Sequence, residues 1–126
     1  VDASPSTVRK RIQRLESEGI ITGYHAMVDY EKAGYQLFVQ MECTAEIPVR
    51  RDLSEMALDV PGVVGVRELA TGESNVLVSA VGTDSADLAR VAHELSDLGL
   101  RVADEDLVQR DVRRPFSGFE PAVHES

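Results

Sequence analysis

Two short stretches of this chain hold the side chains best suited to recognition, and both suit binding better than bond-making. In SPSTVRKRIQRLESEGIITGY, residues 4–24, the side chains of Ser6, Thr7, Arg9, Lys10, Gln13 and Arg14 offer short hydroxyls followed by long cations and an amide. A helix carrying that set fits a DNA major groove, where its N-terminal end meets base edges and its cations meet phosphates. In ATGESN, residues 70–75, Gly72 lets a backbone N–H approach a ligand closely. Glu73 can pair with an amino group and the turn amides with a carboxylate, the complement of a free amino acid. Each stretch also has an ordinary reading, as a surface helix with a solvated charged face and as a hairpin turn made of turn residues.

Catalysis finds little support. His25, His93 and His124 are scattered, and none is placed beside Cys43 or a serine with an acid to orient it. His93 adjoins an apolar stripe and reads as a partly buried core or interface residue. There is no His/Cys spacing for zinc, no P-loop and no dinucleotide fingerprint. Asp104, Glu105 and Asp106 read as a solvated acidic edge, because neighbouring strand residues point to opposite faces. Cys43 is the single cysteine, which excludes an internal disulfide, and it suits a small buried apolar position. The expectation is a protein that is not an enzyme and carries no metal and no cofactor.

Charge is distributed unevenly over the 126 residues. Residues 1–20 carry four cations against three acids, a net +1, whereas the rest carries 9 cations and 19 acids, a net −10. Such an acidic body repels DNA, so contact belongs to the N-terminal segment. Arg supplies 11 of the 13 cations, and many acids with few lysines resemble the surfaces of halophilic proteins, an expectation of salt-dependent folding. No apolar run approaches the roughly 20 residues that span a bilayer, and no signal-peptide pattern opens the chain. A soluble, cytoplasmic protein without membrane contact is expected.

The elements that position these residues follow from periodicity. Ser4 can cap a helix whose first position is Pro5, and Val8, Ile12 and Leu15 share one face of it. Gly19 stops the helix, residues 24–30 form an extended connector, and residues 31–34 mark a boundary. From Gln36, alternation puts Leu37, Val39, Met41, Cys43, Ala45 and Ile47 on the buried face of a long strand that Pro48 ends. Phe38 stands on the otherwise polar face as a candidate contact with a second subunit. Leu53, Met56, Ala57 and Val60 mark a short helix over residues 50–59, and residues 63–70 a strand. Residues 71–75 form a turn and residues 76–81 a central apolar strand. Thr83 or Asp84 caps a helix with the stripe Leu88, Val91, Ala92, Leu95 and Leu98, which Gly99 ends. Residues 100–112 form a final strand at an edge or with a bulge.

Strand, helix, strand, strand, helix, strand predicts an α+β ferredoxin-like β-α-β-β-α-β domain over residues 35–112, with a core mainly of Val, Leu, Ile and Ala. Its second sheet face lacks helices and should be hidden in an oligomer or against a ligand or partner. Residues 1–30 read as part of a DNA-binding unit with its hinge. In the tail, residues 113–126, Phe116 and Phe119 should help the first part to dock.

The stretch SPSTVRKRIQRLESEGIITGY resembles the recognition helix, turn and first extended segment of the Lrp/AsnC, or feast/famine, transcription regulators. The pattern there is Ser-x-Ser-Thr-Val, an Arg/Lys run, Arg-Leu-Glu, then Glu-Gly-(Val/Ile)-Ile-x-Gly-Tyr. ATGESN resembles the family's turn, usually Thr-Gly-Asp-x-Asp, with Glu73 and Asn75 as departures. The resemblance implies a helix-turn-helix unit whose operator contacts fall on Ser4, Ser6, Thr7, Arg9, Lys10 and Arg14. It implies a RAM-type module whose amino-acid effector meets Thr71, Gly72, Glu73, Ser74 and Asn75 between dimers. Dimers pack sheet to sheet and assemble into tetramers or octamers. Two helices precede the recognition helix in the family, and the start at Val1 leaves no room for them, so a fragment of a longer regulator is expected. The competing expectation is a ligand-binding or oligomerisation module without DNA binding of its own.

Overall fold

The computed structural model describes residues 4–114. The expected docking of Phe116 and Phe119, and His124, lie outside these residues. Helix α1, Pro5–Ser17, starts as its sequence dictates, with Ser4 extended and its Oγ accepting the Thr7 N–H at 3.2 Å. It ends where Gly19 takes φ +77°, a conformation that costs other residues energy. Of its apolar face only Leu15 is covered, while Val8 and Ile12 stay exposed.

An extended linker follows α1 and is tied back to it by the Tyr24 hydroxyl, which donates to Glu16 Oε2. That bond, more than Coulombic repulsion, raises the Tyr24 pKa. A turn closes the linker, with the Tyr35 N–H donating to Tyr30 O at 2.8 Å and Gly34 at φ +105°. The Tyr30 ring meets Phe38 edge-on at 6.0 Å and Tyr35 at 6.5 Å between centroids. Phe38 is therefore not bare, as alternation alone suggests, because its own linker packs against it. Tyr30→Ala should free the linker without unfolding the sheet. Trypsin should cut faster after Lys32, with a stability loss of about 1 kcal/mol, the scale of an aromatic pair.

Four strands form one antiparallel sheet in the order β2-β3-β1-β4, where β1 is Leu37–Thr44, β2 Val63–Glu68, β3 Val76–Gly82 and β4 Arg101–Leu107. Helices α2, Arg50–Ala57, and α3, Ser85–Leu98, enclose a core with the strands. Met41, Cys43, Val76, Val78, Val91, Leu95 and Leu100 lie at its centre, each at most 1% exposed. This is the expected ferredoxin-like arrangement, preceded by the helix and linker. The expected share of Ile is not met, since none of the core residues is Ile.

The element ends differ from the periodicity for physical reasons. Strand β1 stops at Thr44, and Ile47 sits 65% exposed in a 3₁₀ turn, Ile47–Val49. Pro48 fixes φ and lacks an N–H, so the ladder cannot continue there. Met56 faces solvent, because Leu53, Ala57 and Val60 already fill the inward side of the short α2. Helix α3 is closed at its start by Asp84 Oδ1, which accepts the Asp87 N–H at 2.9 Å. Asp87 Oδ2 in turn accepts the Thr83 Oγ1–H at 2.6 Å and N–H at 2.7 Å, which hold its carboxyl below the ordinary carboxylate range. Stability from this clasp is fully present above the ordinary carboxylate range and is lost as pH falls from there through the lower folded-state value. Gly99 ends α3 at φ +115°. Strand β4 is an edge strand, as expected, but ends at Leu107, and it carries a bulge where Glu42 faces Asp104 and Cys43 faces Val102.

Candidate functional site

On α1 the six sequence-predicted DNA contacts are all exposed. They do not form one uniform set. Ser4 is spent at the cap, its Oγ 2.8 Å from Thr7 Oγ1 and 3.3 Å from Ser6 Oγ. Arg9 lines a shallow groove with Pro5, Val8, Ile12, Gln13 and Glu16, on the flank of the apolar stripe. At 100° per residue Lys10 falls opposite Val8, with Ser6, Gln13 and Arg14 around it. Gln13, exposed and on the flank between Arg9 and Lys10, is missing from that contact set, and its helical position is the signal that could have added it.

The turn between β2 and β3 is anchored to the body at several points. The Leu69 N–H donates to Asn75 O at 2.8 Å, and the Asn75 N–H to Cys43 O at 3.0 Å. Thr44 Oγ1–H donates to Glu73 O at 3.1 Å. Arg50 Nη1 donates to Leu69 O at 2.9 Å from the start of α2. Thr71, Gly72 and Glu73 are left exposed, Ser74 half-buried, and Gly72 takes φ +101°. Asn75 differs from the other four. It is 5% exposed, with Oδ1 accepting the Ala45 N–H and Nδ2 donating to Ala45 O, both at 2.9 Å. Its side chain is a buried fastener between the turn and the end of β1, not an exposed contact. Arg50 and Thr44 are missing from the sequence-predicted set, because only the folded chain brings them to the turn.

The remaining polar groups fit no catalytic constellation among the described residues. His93 is exposed, not partly buried, with Nε2 3.4 Å from Asp97 Oδ2 one turn on. Burial, and then Glu105, push the Cys43 thiol up to about 11, so it stays protonated and inert at neutral pH. The acidic edge is more than a run of neighbours. Asp104 and Asp106 share a face and meet Glu42 of β1, the three carboxylates each offering an oxygen within 4.8 Å of the others.

A hydrogen bond with Asp106, then desolvation and repulsion from Asp106 and Asp104, raise the Glu42 pKa. An acid with a raised folded-state pKa contributes stability below its unfolded value, which is lost as pH rises through the folded one. Glu42→Gln should therefore unfold at a higher temperature than the parent at pH 7. That difference should vanish below about pH 4, near the ordinary Glu value.

Residues 1–22 match a family described as winged helix-turn-helix DNA-binding. The chain is 32% identical over 95 residues to an uncharacterised HTH-type transcriptional regulator of Pyrococcus abyssi, covering 71% of this chain and 56% of that protein. It thus spans about half the length of that relative. Another regulator so described from the same organism is 27% identical over 117 residues, covering 92% of this chain and 79% of the relative. Among solved structures, a transcriptional regulator of Neisseria meningitidis in complex with L-methionine superposes with a TM-score of 0.72 at 25% identity, covering 98% of this chain and 80% of that one. A feast or famine regulatory protein of M. tuberculosis, complexed with L-methionine, gives 0.72 at 21% identity, over 89% and 76% of the two chains. The β2-β3-β1-β4 sheet and these likenesses give the chain the fold of those regulators, and its SPSTVRKRIQRLESEGIITGY motif resembles that of the Lrp/AsnC, or feast/famine, family.

Proposed function

We propose that the protein containing this chain binds a specific operator through α1, and that a small molecule, an amino acid, held at the 71–75 turn adjusts that binding. The observation that carries the reading is the cationic face of α1 on an otherwise acidic chain. Ser6 and Gln13 face base edges, and Arg9, Lys10 and Arg14 reach phosphates. The open sheet face, with Phe38, Gln40 and Glu42 half-buried, packs against a second copy, and dimers assemble further into tetramers or octamers.

Two structurally similar proteins were solved with L-methionine, which supports an amino acid as the ligand class. The exposed Gly72 amide meets its carboxylate and Glu73 its ammonium group. The ligand shifts DNA binding by its differential affinity for two assembled states. Thermal shift with a panel of amino acids tests this arm, because a ligand at a hundredfold excess over Kd adds about 2.7 kcal/mol. No shift with any of them, and no change in oligomer size, would remove the effector from the account.

A second reading is an assembly and ligand-binding module whose helix does not touch DNA. The exposure of Val8 and Ile12 favours it, since α1 alone is not held against a supporting helix. Gel filtration and DNA binding of this chain beside the longer parent protein separate the two.

A further inference from the structure

We propose that Arg50 is the positioning residue of the effector turn, holding it in a ligand-ready shape and supplying the positive charge behind it. The proposal rests on the effector reading above and adds a residue that neither the turn motif nor its spacing contains. The fasteners from Thr44 and Asn75 join the turn to the end of β1. Arg50 joins it to a different element, α2, through the 2.9 Å bond from Nη1 to Leu69 O. Its Nε, shut off from solvent, stands 3.3 Å from Glu68 Oε1, an ion pair without hydrogen-bond alignment.

Arg50 is 23% exposed at its side chain and Glu68 37%, so this pair is less screened than an open surface pair. The planar guanidinium can hold both groups in one plane, which a lysine ammonium cannot do in the same geometry. The motif residues supply only the acid Glu73, and Glu68 adds a second. A ligand carboxylate approaching the Gly72 amide therefore needs a nearby cation to offset them, and Arg50 is bonded to Leu69, which leads from β2 into the turn.

The test compares Arg50→Gln and Arg50→Lys with the wild type in the full-length protein. Amide hydrogen exchange is read without ligand, and the affinity for the panel's best amino acid by calorimetry. In Arg50→Gln the amides of Leu69 and Asn75 should exchange about tenfold faster, the scale of one lost bond to a charged group, while amides at the centre of β3 are unchanged. Ligand affinity should fall about tenfold, and Arg50→Lys should recover part of it by restoring the charge. Unchanged exchange at Leu69 and Asn75 would overturn the positioning role, whether or not a ligand binds. Equal affinity of Arg50→Gln and wild type would overturn the role in binding. A wild type that binds no amino acid while Arg50→Gln still loosens the turn would instead remove the effector reading and leave Arg50 as the turn's anchor.

Discussion

Asn75→Asp is expected to destabilise the sheet domain by about 3 kcal/mol at pH 7, the scale of a buried polar group made unsatisfied together with a buried charge. The reason lies in the two-way bond with Ala45. The amide accepts from the Ala45 N–H and donates to the Ala45 carbonyl at 2.9 Å each, in a site only 5% exposed. A carboxylate keeps the first bond but sets a charged oxygen against the carbonyl. Protonated, it can donate to that carbonyl and restore the second bond.

The introduced acid therefore has a folded-state pKa above its unfolded value of about 3.9, and its cost is least below that pH and grows as pH rises. Urea unfolding at pH 4 and pH 7 checks this. Asn75→Ala, which leaves both Ala45 groups unpaired, should cost about 2 to 4 kcal/mol with no such pH dependence. Equal stability of Asn75→Asp and wild type at pH 7 would show that the fastener does not hold the turn. The same bond gives a physical reason for the departure from the family's Thr-Gly-Asp-x-Asp pattern, because an ionised Asp cannot make both contacts.

Removing the cations of α1 should give the second large effect. For the full-length protein, Arg9→Ala, Lys10→Ala and Arg14→Ala together remove three phosphate contacts per subunit. The salt dependence of log K should then flatten by about 2.7 per DNA-bound subunit. At 0.1 M salt that corresponds to about 500-fold weaker binding per subunit if counterion release is the whole loss. Stability should change little, since all three side chains are exposed and no ion pair of the described residues uses them. Each single variant should flatten the slope by about 0.9. Salt titrations by fluorescence anisotropy measure these slopes, and a slope unchanged by the triple substitution would separate α1 from DNA contact.

The readable parts of the fold are those where one local rule decides. Alternation from Leu37 to Cys43 locates β1, the stripe Leu88, Val91 and Leu95 locates α3, and Gly99 marks its end with a positive φ. The succession of elements gave the fold class and the apolar run of residues 76–81 the central place of β3, which the order β2-β3-β1-β4 shows. What periodicity could not give are the contacts between distant segments. Asn75 reaches Ala45 across 30 positions and Arg50 reaches Leu69 across 19. Glu42 joins Asp104 and Asp106 only because β1 and β4 are neighbours with a bulge between them.

Ile47 fits the alternation yet lies outside the strand, because Pro48 and the Asn75 fastener decide where β1 ends. In the candidate sites the residue types on α1 and at the turn were legible. Their division of labour was legible only in part: the cap role of Ser4 could be read from the sequence, but the burial of Asn75 as a fastener could not.

The most direct test of the central claim is the ratio of operator to random-sequence affinity for the full-length protein, with the operator chosen by in vitro selection and both measured at one salt concentration. A regulator reading bases through α1 should prefer its selected site by at least about a thousandfold. Gln13→Ala combined with Ser6→Ala should shrink that ratio while leaving random-sequence binding nearly unchanged, since these side chains carry no charge for phosphate. Equal affinity for selected and random DNA, or a ratio untouched by those substitutions, would contradict the assignment of α1 as the reading helix.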